Sequence, residues 1–588
     1  MKKDIEKSGR KKRKGSILHR FFEFLERVSD HFSDLFLGRL KNVREVKLWV
    51  VEWMLLVLSV FLLAIVQLCW YGDSYESTAF VDGGTYSEAT LGKVSSLNPL
   101  YATTSSERTL SKLLFANLVS PDRSGHLKGE LVKEIASEEN DTVWNVTLRD
   151  EIYWSDGEPI VADDLVYTVN LIADNAAKTT ISTNFSNVSV EKIDDKKVKF
   201  TLPSAYPDFM DLLEFPVVPE HVLGEISSAL VYESDFSKNP VSSGPFRINA
   251  IQTVNSTSKA LQTVYLNRND KYFKDNTRLE AFNVKTYASL DDIRDALNNV
   301  EVNGTAELGG EDMDSFAQYD YRRGLINGGV FAFMNTKNVS VKERKAIQMG
   351  VNMKTVRGEL LKSQAIDYPI LSSQGDYEKP ALAEFDFDKA KTLLTDDGFV
   401  YKDGKLYKDD ERVALKVEVL NRETQKGVAE RYADELKKLG FEVELDVFDE
   451  AQAATDFFSA IIRPRKYDIL IYEVDLGVSA DPFVYYSSTQ ATANGWNFSN
   501  YSNKMVDDAL LSGRLTTDSA LRKAKYDSFL KYWVDEVPAV GIYQSSLNYY
   551  YTRNIETFGD DTTMTDTLDR FVDVNYWGVD KEHVKLTP

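Results

Sequence analysis

Residues 413–447 read VALKVEVLNRETQKGVAERYADELKKLGFEVELDV and combine two periodicities. Apolar residues alternate with others at both ends, which is typical of strands, whereas the middle carries an apolar stripe at helical spacing. The strand positions are Val413, Leu415, Val417 and Val419, then Phe441, Val443, Leu445 and Val447, and the helix stripe over 426–439 is Val428, Tyr432, Leu436 and Leu439. Gly440 then stands where a helix C-terminus favours glycine. Strand, helix and strand of this length predict a βαβ unit with parallel strands, and therefore an α/β fold.

A second apolar run, Asp468–Tyr472, predicts a further strand of the same sheet. Open α/β sheets bind ligands in the crevice beyond the carboxyl ends of their strands. The segment that follows, Glu473–Pro482, is therefore predicted to contribute to a ligand site on topology alone.

The charge of the chain is unevenly distributed. The 588 residues carry a formal net charge of −21, but residues 1–47 hold fourteen Lys/Arg against seven Asp/Glu, a net +7 that leaves −28 for the remainder. An acidic main body lacks the basic footprint that a phosphate backbone requires, so nucleic acid is not expected as a partner. The single cysteine, Cys69, excludes an intrachain disulfide.

An apolar segment at 48–71 predicts one membrane span. It contains a single charge, Glu52, and at helical rise it measures about 36 Å, enough for a hydrocarbon core of about 30 Å. The excess of Lys/Arg before it places residues 1–47 in the cytoplasm and residues 72–588 outside. No small-x-small cleavage site follows, and Leu68 rather than a small residue precedes Cys69. We therefore favour an uncleaved anchor over a cleaved signal peptide or a lipid attachment site.

The segments that flank the span have their own patterns. In the basic tail one apolar stripe predicts a helix that lies on the inner membrane surface or pairs with a partner helix, although a partly ordered tail fits equally well. The stripe consists of Leu18, Phe21, Leu25, Val28, Phe32 and Leu35. After the span, residues 72–88 are rich in Gly, Ser, Thr and Asp and are predicted to be a short linker.

Several motifs occur in one order along the chain. The longest, WNVTLRDEIYWSDGEPIVADDLVYTV at Trp144–Val169, resembles the pattern of the large extracytoplasmic solute-binding proteins, family 5, the oligopeptide/dipeptide/nickel class of ABC importers. Shorter stretches resemble other signatures of that family: Leu97–Leu100, Val241–Ile248, Leu266–Asn269 with Tyr272, Phe333–Asn335, Asp388–Leu394 and Asp481-Pro482. Each motif alone is weak evidence for the family, but the motifs occur in the family's order and together extend over about residues 83–575.

The resemblance implies a two-lobed α/β clamp with an extra subdomain, preceded by one transmembrane helix. The implied division is a tail at 1–47, an anchor at 48–71, a linker at 72–88, and then the lobes. Lobe 1 would comprise 89–325, with the subdomain at about 119–240, lobe 2 would comprise 326–540, and 541–588 would return to lobe 1. Such a clamp closes on a small peptide or similar solute and docks on an ABC permease, whose ATPase is a separate subunit.

The resemblance also suggests ligand contacts. In peptide-binding relatives an aspartate four residues before the proline of the Asp-Pro motif holds the α-amino group of the ligand, and in this chain that position is Val478. Glu473 or Asp475 is expected to substitute for it from nearby. Further candidates are Trp496 as a stacking surface, Tyr101 after the Asn98-Pro99 turn, and Lys93 facing a ligand carboxylate. No catalytic residue, metal ligand or cofactor is predicted.

Other classes of function find little support in the sequence. It contains no H-E-x-x-H, no G-x-S-x-G and no G-x-x-x-x-G-K-[ST], so we do not expect an enzyme. A membrane-anchored solute sensor that uses the same clamp remains an alternative, because an anchor with a cytoplasmic tail suits both roles. Peptide, sugar and metal chelate all remain open as ligands, since one fold serves many functions.

Overall fold

A computed structural model describes residue 27, residues 47–181, 185 and 188–253, and then 260–274, 277–310, 315–358, 364–449, 457–493, 495–553, 555–559 and 563–585. Within these ranges the helices are α1 (Lys47–Tyr75), α2 (Ser105–Leu114), α3 (Ala162–Ala173), α4 (Glu220–Leu223), α5 (Leu290–Asn298), α6 (Val341–Gly350), α7 (Met353–Arg357), α8 (Phe387–Thr395), α9 (Glu423–Lys438), α10 (Phe483–Tyr486), α11 (Lys504–Leu515) and α12 (Ser519–Glu536).

The strands of the first half of the chain are β1 (Glu76–Phe80), β2 (Thr85–Leu91), β3 (Val119–Pro121), β4 (Leu127–Gly129), β5 (Val132–Glu138), β6 (Val143–Leu148), β7 (Ser189–Asp194), β8 (Lys197–Thr201), β9 (Phe246–Thr253), β10 (Ala260–Arg268) and β11 (Ala281–Tyr287). The remaining strands are β12 (Gly304–Thr305), β13 (Tyr319–Met334), β14 (Val400–Lys402), β15 (Lys405–Lys408), β16 (Glu411–Arg412), β17 (Ala414–Leu420), β18 (Glu442–Phe448), β19 (Ile469–Asp475), β20 (Ala539–Thr552) and β21 (Lys581–Lys585).

The predicted βαβ unit is confirmed. Strands β17 and β18 run parallel in register from Ala414 opposite Glu442 to Leu420 opposite Phe448, with α9 as the crossover. The strand predicted from Asp468 is β19, which pairs parallel with β17 on its other side. The apolar stripe of α9 is buried, because Val428, Tyr432 and Leu436 pack against this sheet.

One mixed sheet of ten strands runs through the main body, in the order β18-β17-β19-β13-β20-β12-β2-β11-β10-β9. Its centre is the antiparallel pair of the two longest strands, β13 and β20. Their register breaks between Leu325 and Gly329 and again between Val330 and Phe331. The predicted lobe boundaries, 325/326 and 540/541, both fall inside these two strands.

Within the part of the chain that the structure describes, four hydrophobic cores flank the sheet. In the first half, the two faces of β2, β10 and β11 contribute to different cores, a large one around Tyr86 and Phe282 and a small one around Tyr287. In the second half the alternation of β13 divides its side chains in the same way, with Val330 and Phe331 in separate cores. We call the elements around the Tyr86 core lobe 1 and those around the cores of Val330 and Phe331 lobe 2.

A separate sheet, β5-β6-β8-β7, extends the core of lobe 1. The motif at 144–169 runs from β6 through a turn into α3. Within the turn Gly157 takes a left-handed φ of 101°, and the Asp164 carboxylate accepts hydrogen bonds from Val161 N (2.9 Å), Glu220 N (2.8 Å) and Trp154 Nε1 (3.3 Å). This motif therefore shapes the fold of lobe 1.

Residues 47–79 and 582–585 belong to a second compact unit. Among the described residues α1 is the one helix long and apolar enough to span a membrane, over Trp49–Gln67. Trp49 and Trp53 are exposed in it. The stripe predicted at Leu18–Leu35 lies outside the described residues. The predicted linker, 72–88, contains the end of α1, all of β1 and the start of β2, and β1 pairs with β21.

Candidate functional site

The carboxyl end of β19 carries three of the predicted ligand-binding residues. Glu473 and Asp475 lie in the last three residues of the strand, and Val478 follows in the loop to α10. The Asp475 carboxylate accepts a hydrogen bond from Gly477 N at 2.8 Å, and its backbone carbonyl accepts one from the Tyr485 hydroxyl at 2.5 Å. The side chain of Asp475 is thus turned over its own loop and remains exposed.

A bulge in β13 joins this loop to the C-terminal segment. Asn327 lies in the register break, where its N–H donates to Thr565 O at 2.9 Å and its Nδ2 to Gly477 O at 3.0 Å. The Asn327 carbonyl in turn accepts from Leu476 N at 2.7 Å. A single residue of the crossing strand therefore fixes the loop after β19 against the segment that leads to Asp566.

Carboxylates from three distant segments of the chain influence the ionisation of Asp475 and Glu214. Burial, and then the charges of Asp566, Asp569 and Glu473, raise the pKa of Asp475 to about 6. Burial also raises the pKa of Glu214 to about 8, against the lowering influence of Lys112, and the charges of Asp569, Asp566 and Asp475 raise it further. Asp475 belongs to lobe 2, whereas Glu214 and Asp566 belong to lobe 1, so these charges influence ionisation across the boundary between the lobes. We call Glu214, Asp475 and Asp566 the acidic cleft.

These acids differ in how freely they can meet a ligand. Glu214 and Asp475 are exposed although protein surrounds them on most sides, as expected for the walls of a cleft. Asp569 is buried and its Oδ2 accepts from Thr565 N and Thr565 Oγ1, both at 2.7 Å. Asp569 therefore holds its own turn in place, whereas the side chains of Glu214 and Asp475 remain exposed.

Glu473 is held by its own lobe. Its Oε2 accepts from Gln425 Nε2 at 3.0 Å and lies 3.5 Å from Arg422 Nη1. Both partners lie at the start of the βαβ helix segment. Arg422 and Gln425 thus already engage the Glu473 carboxylate. The ligand roles of Glu473, Asp475 and Val478 stay predictions.

Trp496 belongs to an aromatic group behind β19. Its ring lies 5.8 Å from that of Phe458 and 5.8 Å from that of Phe498. Phe498 in turn contacts Tyr472, the strand neighbour of Glu473, at 5.4 Å. Trp496 is half-buried and retains an accessible edge, and its role as a stacking surface for a ligand stays a prediction.

The structure places the two remaining candidates in lobe 1. Tyr101 is buried, donates its hydroxyl to Ala177 O at 2.9 Å and packs edge-on against Tyr232 at 5.2 Å. Lys93 is exposed and follows β2. No contact joins either of them to Glu473, Asp475 or Val478 among the described residues, and their ligand roles stay predictions.

Sequence reasoning missed Glu214 and Asp566. Glu214 ends the short 3-10 turn Phe209–Leu213, and Asp566 caps the turn Thr567–Phe571 through its hydrogen bond from Leu568 N at 2.8 Å. The capping pattern of Asp566 and Asp569 is readable in the sequence. Only the tertiary structure brings the charge of this cap to bear on Asp475, at the end of a strand about ninety residues earlier in the chain.

Two α/β lobes that share two long crossing strands, with charged side chains facing the space between them, define a solute-binding clamp. The chain belongs to the bacterial extracellular solute-binding proteins, family 5, whose middle-region profile matches residues 126–496. The predicted family and the predicted two-lobed fold are thereby confirmed.

Relatives match over almost their whole length. The chain is 23% identical to the oligopeptide-binding protein AppA of Bacillus subtilis over 548 residues, which cover 86% of this chain and 94% of that protein. The structure of AppA in complex with a nonapeptide superposes with a TM-score of 0.72 at 19% identity, covering 85% of this chain and all of that one. NikZ of Campylobacter jejuni in complex with Ni(L-His) gives a TM-score of 0.72 at 22% identity, covering 84% of this chain and 99% of that one.

Proposed function

We propose that this chain is the membrane-anchored binding component of an ABC importer. It captures peptides or similar small solutes between its lobes, closes about the Asn327 bulge and delivers the solute unaltered to a permease driven by separate ATPase subunits. Helix α1 is the anchor, with residues 1–47 in the cytoplasm and the main body outside. The division into lobes at 325/326 and 540/541 belongs to this proposal, and the crossing strands that contain both boundaries support it.

The observation that carries the ligand class is the acidic cleft. A free peptide has an ammonium group at its N-terminus, and charge-assisted hydrogen bonds to carboxylates are stronger than neutral ones. Asp475 reaches the cleft three residues before Val478, the position where peptide-binding relatives are expected to carry the aspartate. We therefore assign the amino group of the ligand to Asp475, with Asp566 supplying further negative potential.

Such a ligand also explains how closure is favoured. Like-charged carboxylates on opposite lobes oppose each other's ionisation when the lobes approach. A cationic group between them replaces this repulsion by attraction, so it binds the closed state better than the open one. That difference in affinity is what shifts a clamp towards closure.

Native mass spectrometry of the full-length protein, purified in detergent, tests the ligand class. We expect co-purified masses of short peptides that carry a free amino terminus, and loss of these masses in Asp475→Asn but not in Glu473→Gln. A bound sugar or metal chelate would contradict the peptide assignment. A bound peptide that is progressively cleaved would contradict delivery without chemical change.

The positively charged tail before the anchor supports a sensor as the second candidate. The two roles differ in what they need from other proteins. Uptake of labelled peptide into vesicles that contain this chain, a permease and its ATPase supports the importer. Ligand-dependent change in protease sensitivity of residues 1–47, without any effect of this chain on uptake, supports the sensor instead.

A further inference from the structure

One segment of lobe 1 reaches across to lobe 2 at three points. The Asp208 carboxylate accepts from Arg522 Nη1 at 3.1 Å, and the guanidinium of Arg514 lies 5.0 Å from the centre of the Tyr206 ring. Asp211 accepts hydrogen bonds from the side chain and the backbone of Ser479. Tyr206 and the neighbouring Phe209 belong to the core of lobe 1, whereas α11 and α12, which carry the arginines, pack in the core of lobe 2.

The two arginines are held in position by lobe 2 itself. Arg514 lies 3.2 Å from the Asp481 carboxylate and 4.8 Å from the centre of the Phe483 ring. Arg522 donates to Thr516 O at 3.0 Å. Opening the clamp would leave these anchoring contacts intact, so both guanidinium groups remain ready for lobe 1. Little side-chain entropy is lost when a pre-positioned group forms its contact.

The partners are also shielded from water. The side chains of Arg522 and Asp208 keep 20% and 18% of their accessible area, in contrast to the open surface pair of Lys133 and Asp150 with 57% and 75%. Exposed ion pairs contribute little because water and salt screen them, whereas partly buried pairs are screened less. The contact between Asp208 and Arg522 is therefore able to influence the balance between open and closed states.

We propose that Tyr206, Asp208 and Asp211 form a clasp with Ser479, Arg514 and Arg522 that stabilises the closed clamp before any ligand is bound. The clasp uses no residue of the acidic cleft, so it acts independently of the ligand. Its consequence is that the empty protein is partly closed, and solute affinity includes a contribution from contacts that never touch the solute. The apparent affinity of a clamp falls in proportion to the fraction of molecules in the binding-competent state.

Distances between spin labels on the two lobes test the clasp in ligand-free, full-length protein. Cys69 is the only native cysteine, so a Cys69→Ser background accepts labels at Asn170→Cys on α3 and Ala524→Cys on α12, both exposed positions. The unmodified clasp is expected to show a major population at short distance. Asp208→Asn and Arg522→Gln should each shift the ratio of short to long distances by about two- to fivefold towards the open form.

A matched control variant and a double-mutant cycle distinguish loss of the clasp from local disruption of the structure. Lys523 pairs with Asp527 at 2.8 Å on the same helix without reaching lobe 1, so Lys523→Gln should leave the distances unchanged. Asp208→Glu should retain the short distance because it keeps the charge. The double variant Asp208→Asn/Arg522→Gln should open the clamp no further than either single variant, as partners in one contact do.

Two results would overturn the clasp. One is a distance distribution that none of the single variants moves in a protein whose Tm is unchanged. The other is an opening that is additive in the double variant, since it would mean that the two residues act separately. Neither result depends on the identity of the solute, so the clasp can fail while the proposed function stands.

Discussion

Arg570 donates from Nη2 to the Glu88 carboxylate at 2.6 Å, although 482 residues separate the two in the chain. Their side chains keep 3% and 0% of their accessible area. The second Glu88 oxygen accepts from the Tyr549 hydroxyl at 2.8 Å, and that hydroxyl lies 2.6 Å from the hydroxyl of Tyr86. The beginning of lobe 1 and the returning C-terminal segment are therefore joined through one buried polar network.

Removing one member of this network should be costly. Arg570→Met leaves the Glu88 charge buried without its partner, and we expect the free energy of unfolding to fall by about 3–5 kcal/mol. Urea denaturation followed by tryptophan fluorescence measures the change. Lys133→Gln, which breaks the exposed pair with Asp150, serves as the control and should leave the denaturation midpoint where it is. Equal midpoints for the two variants would contradict a structural role for the buried pair.

The acidic cleft makes stability depend on pH in a definite direction. The pKa of Glu214 is raised from an ordinary 4.5 to about 8 and that of Asp475 from 3.8 to about 6, so between these limits the folded protein retains protons that the unfolded chain has released. The contribution of these two groups to the free energy of unfolding therefore falls as pH rises from about 4 to about 8. Glu214→Gln should reduce this slope by up to about one proton between pH 5 and 8.

The same variant contains its own control. At pH 4 the Glu214 side chain is neutral in both folded and unfolded protein, so wild type and Glu214→Gln should have similar stability there. Their curves should separate as the pH rises, with the variant becoming the more stable. Parallel curves over the whole range would show that folding does not raise the pKa of Glu214.

Asp475 and Glu473 should differ in their effect on ligand affinity. Loss of a charge-assisted hydrogen bond to a ligand ammonium costs about 1.5–3 kcal/mol, so Asp475→Asn should weaken binding of a free-amino peptide by one to two orders of magnitude. Glu473→Gln should weaken it far less, because Arg422 and Gln425 already occupy that carboxylate. Isothermal titration calorimetry measures both. An N-acetylated peptide should be insensitive to Asp475→Asn, and an equal loss for it would place the amino group elsewhere.

The crossing strand β20 tolerates no side chain at Gly541. A Cβ there would lie 2.5 Å from Ile366 O, a backbone atom that cannot turn away. We expect Gly541→Ala to lower the free energy of unfolding by about 1–3 kcal/mol, as overpacking does. Gly427 lies inside α9, where a Cβ would meet only the end of the Arg431 side chain at 3.4 Å. Gly427→Ala should therefore stabilise the protein by about 0.5–1 kcal/mol, and the opposite signs can be read from thermal unfolding.

Local patterns were sufficient for the parts of the fold that depend on neighbours in the chain. The apolar alternation in 413–419 and 441–447 predicted β17 and β18, and the stripe through Tyr432 predicted α9. The predicted ends of these elements agree with the structure to within about three residues, because burial of one face imposes a period on the sequence. The same reasoning predicted β19 and directed attention to the loop that contains Asp475. The order of the motifs along the chain was enough to predict the family, since members of the family carry the same motifs in the same order.

The acidic cleft and the clasp could not be predicted in this way. Glu214, Asp475 and Asp566 influence one another's charges although they lie far apart in the chain, because β13 and β20 run through both lobes and Asn327 ties two loops together. In the sequence Asp208 resembles an ordinary turn residue. In the structure α12 brings Arg522 Nη1 to 3.1 Å from the Asp208 carboxylate. Periodicity and helix caps depend on contacts between residues a few positions apart in the chain. The site depends on contacts between residues that are hundreds of positions apart. Those contacts form only once the lobes have packed.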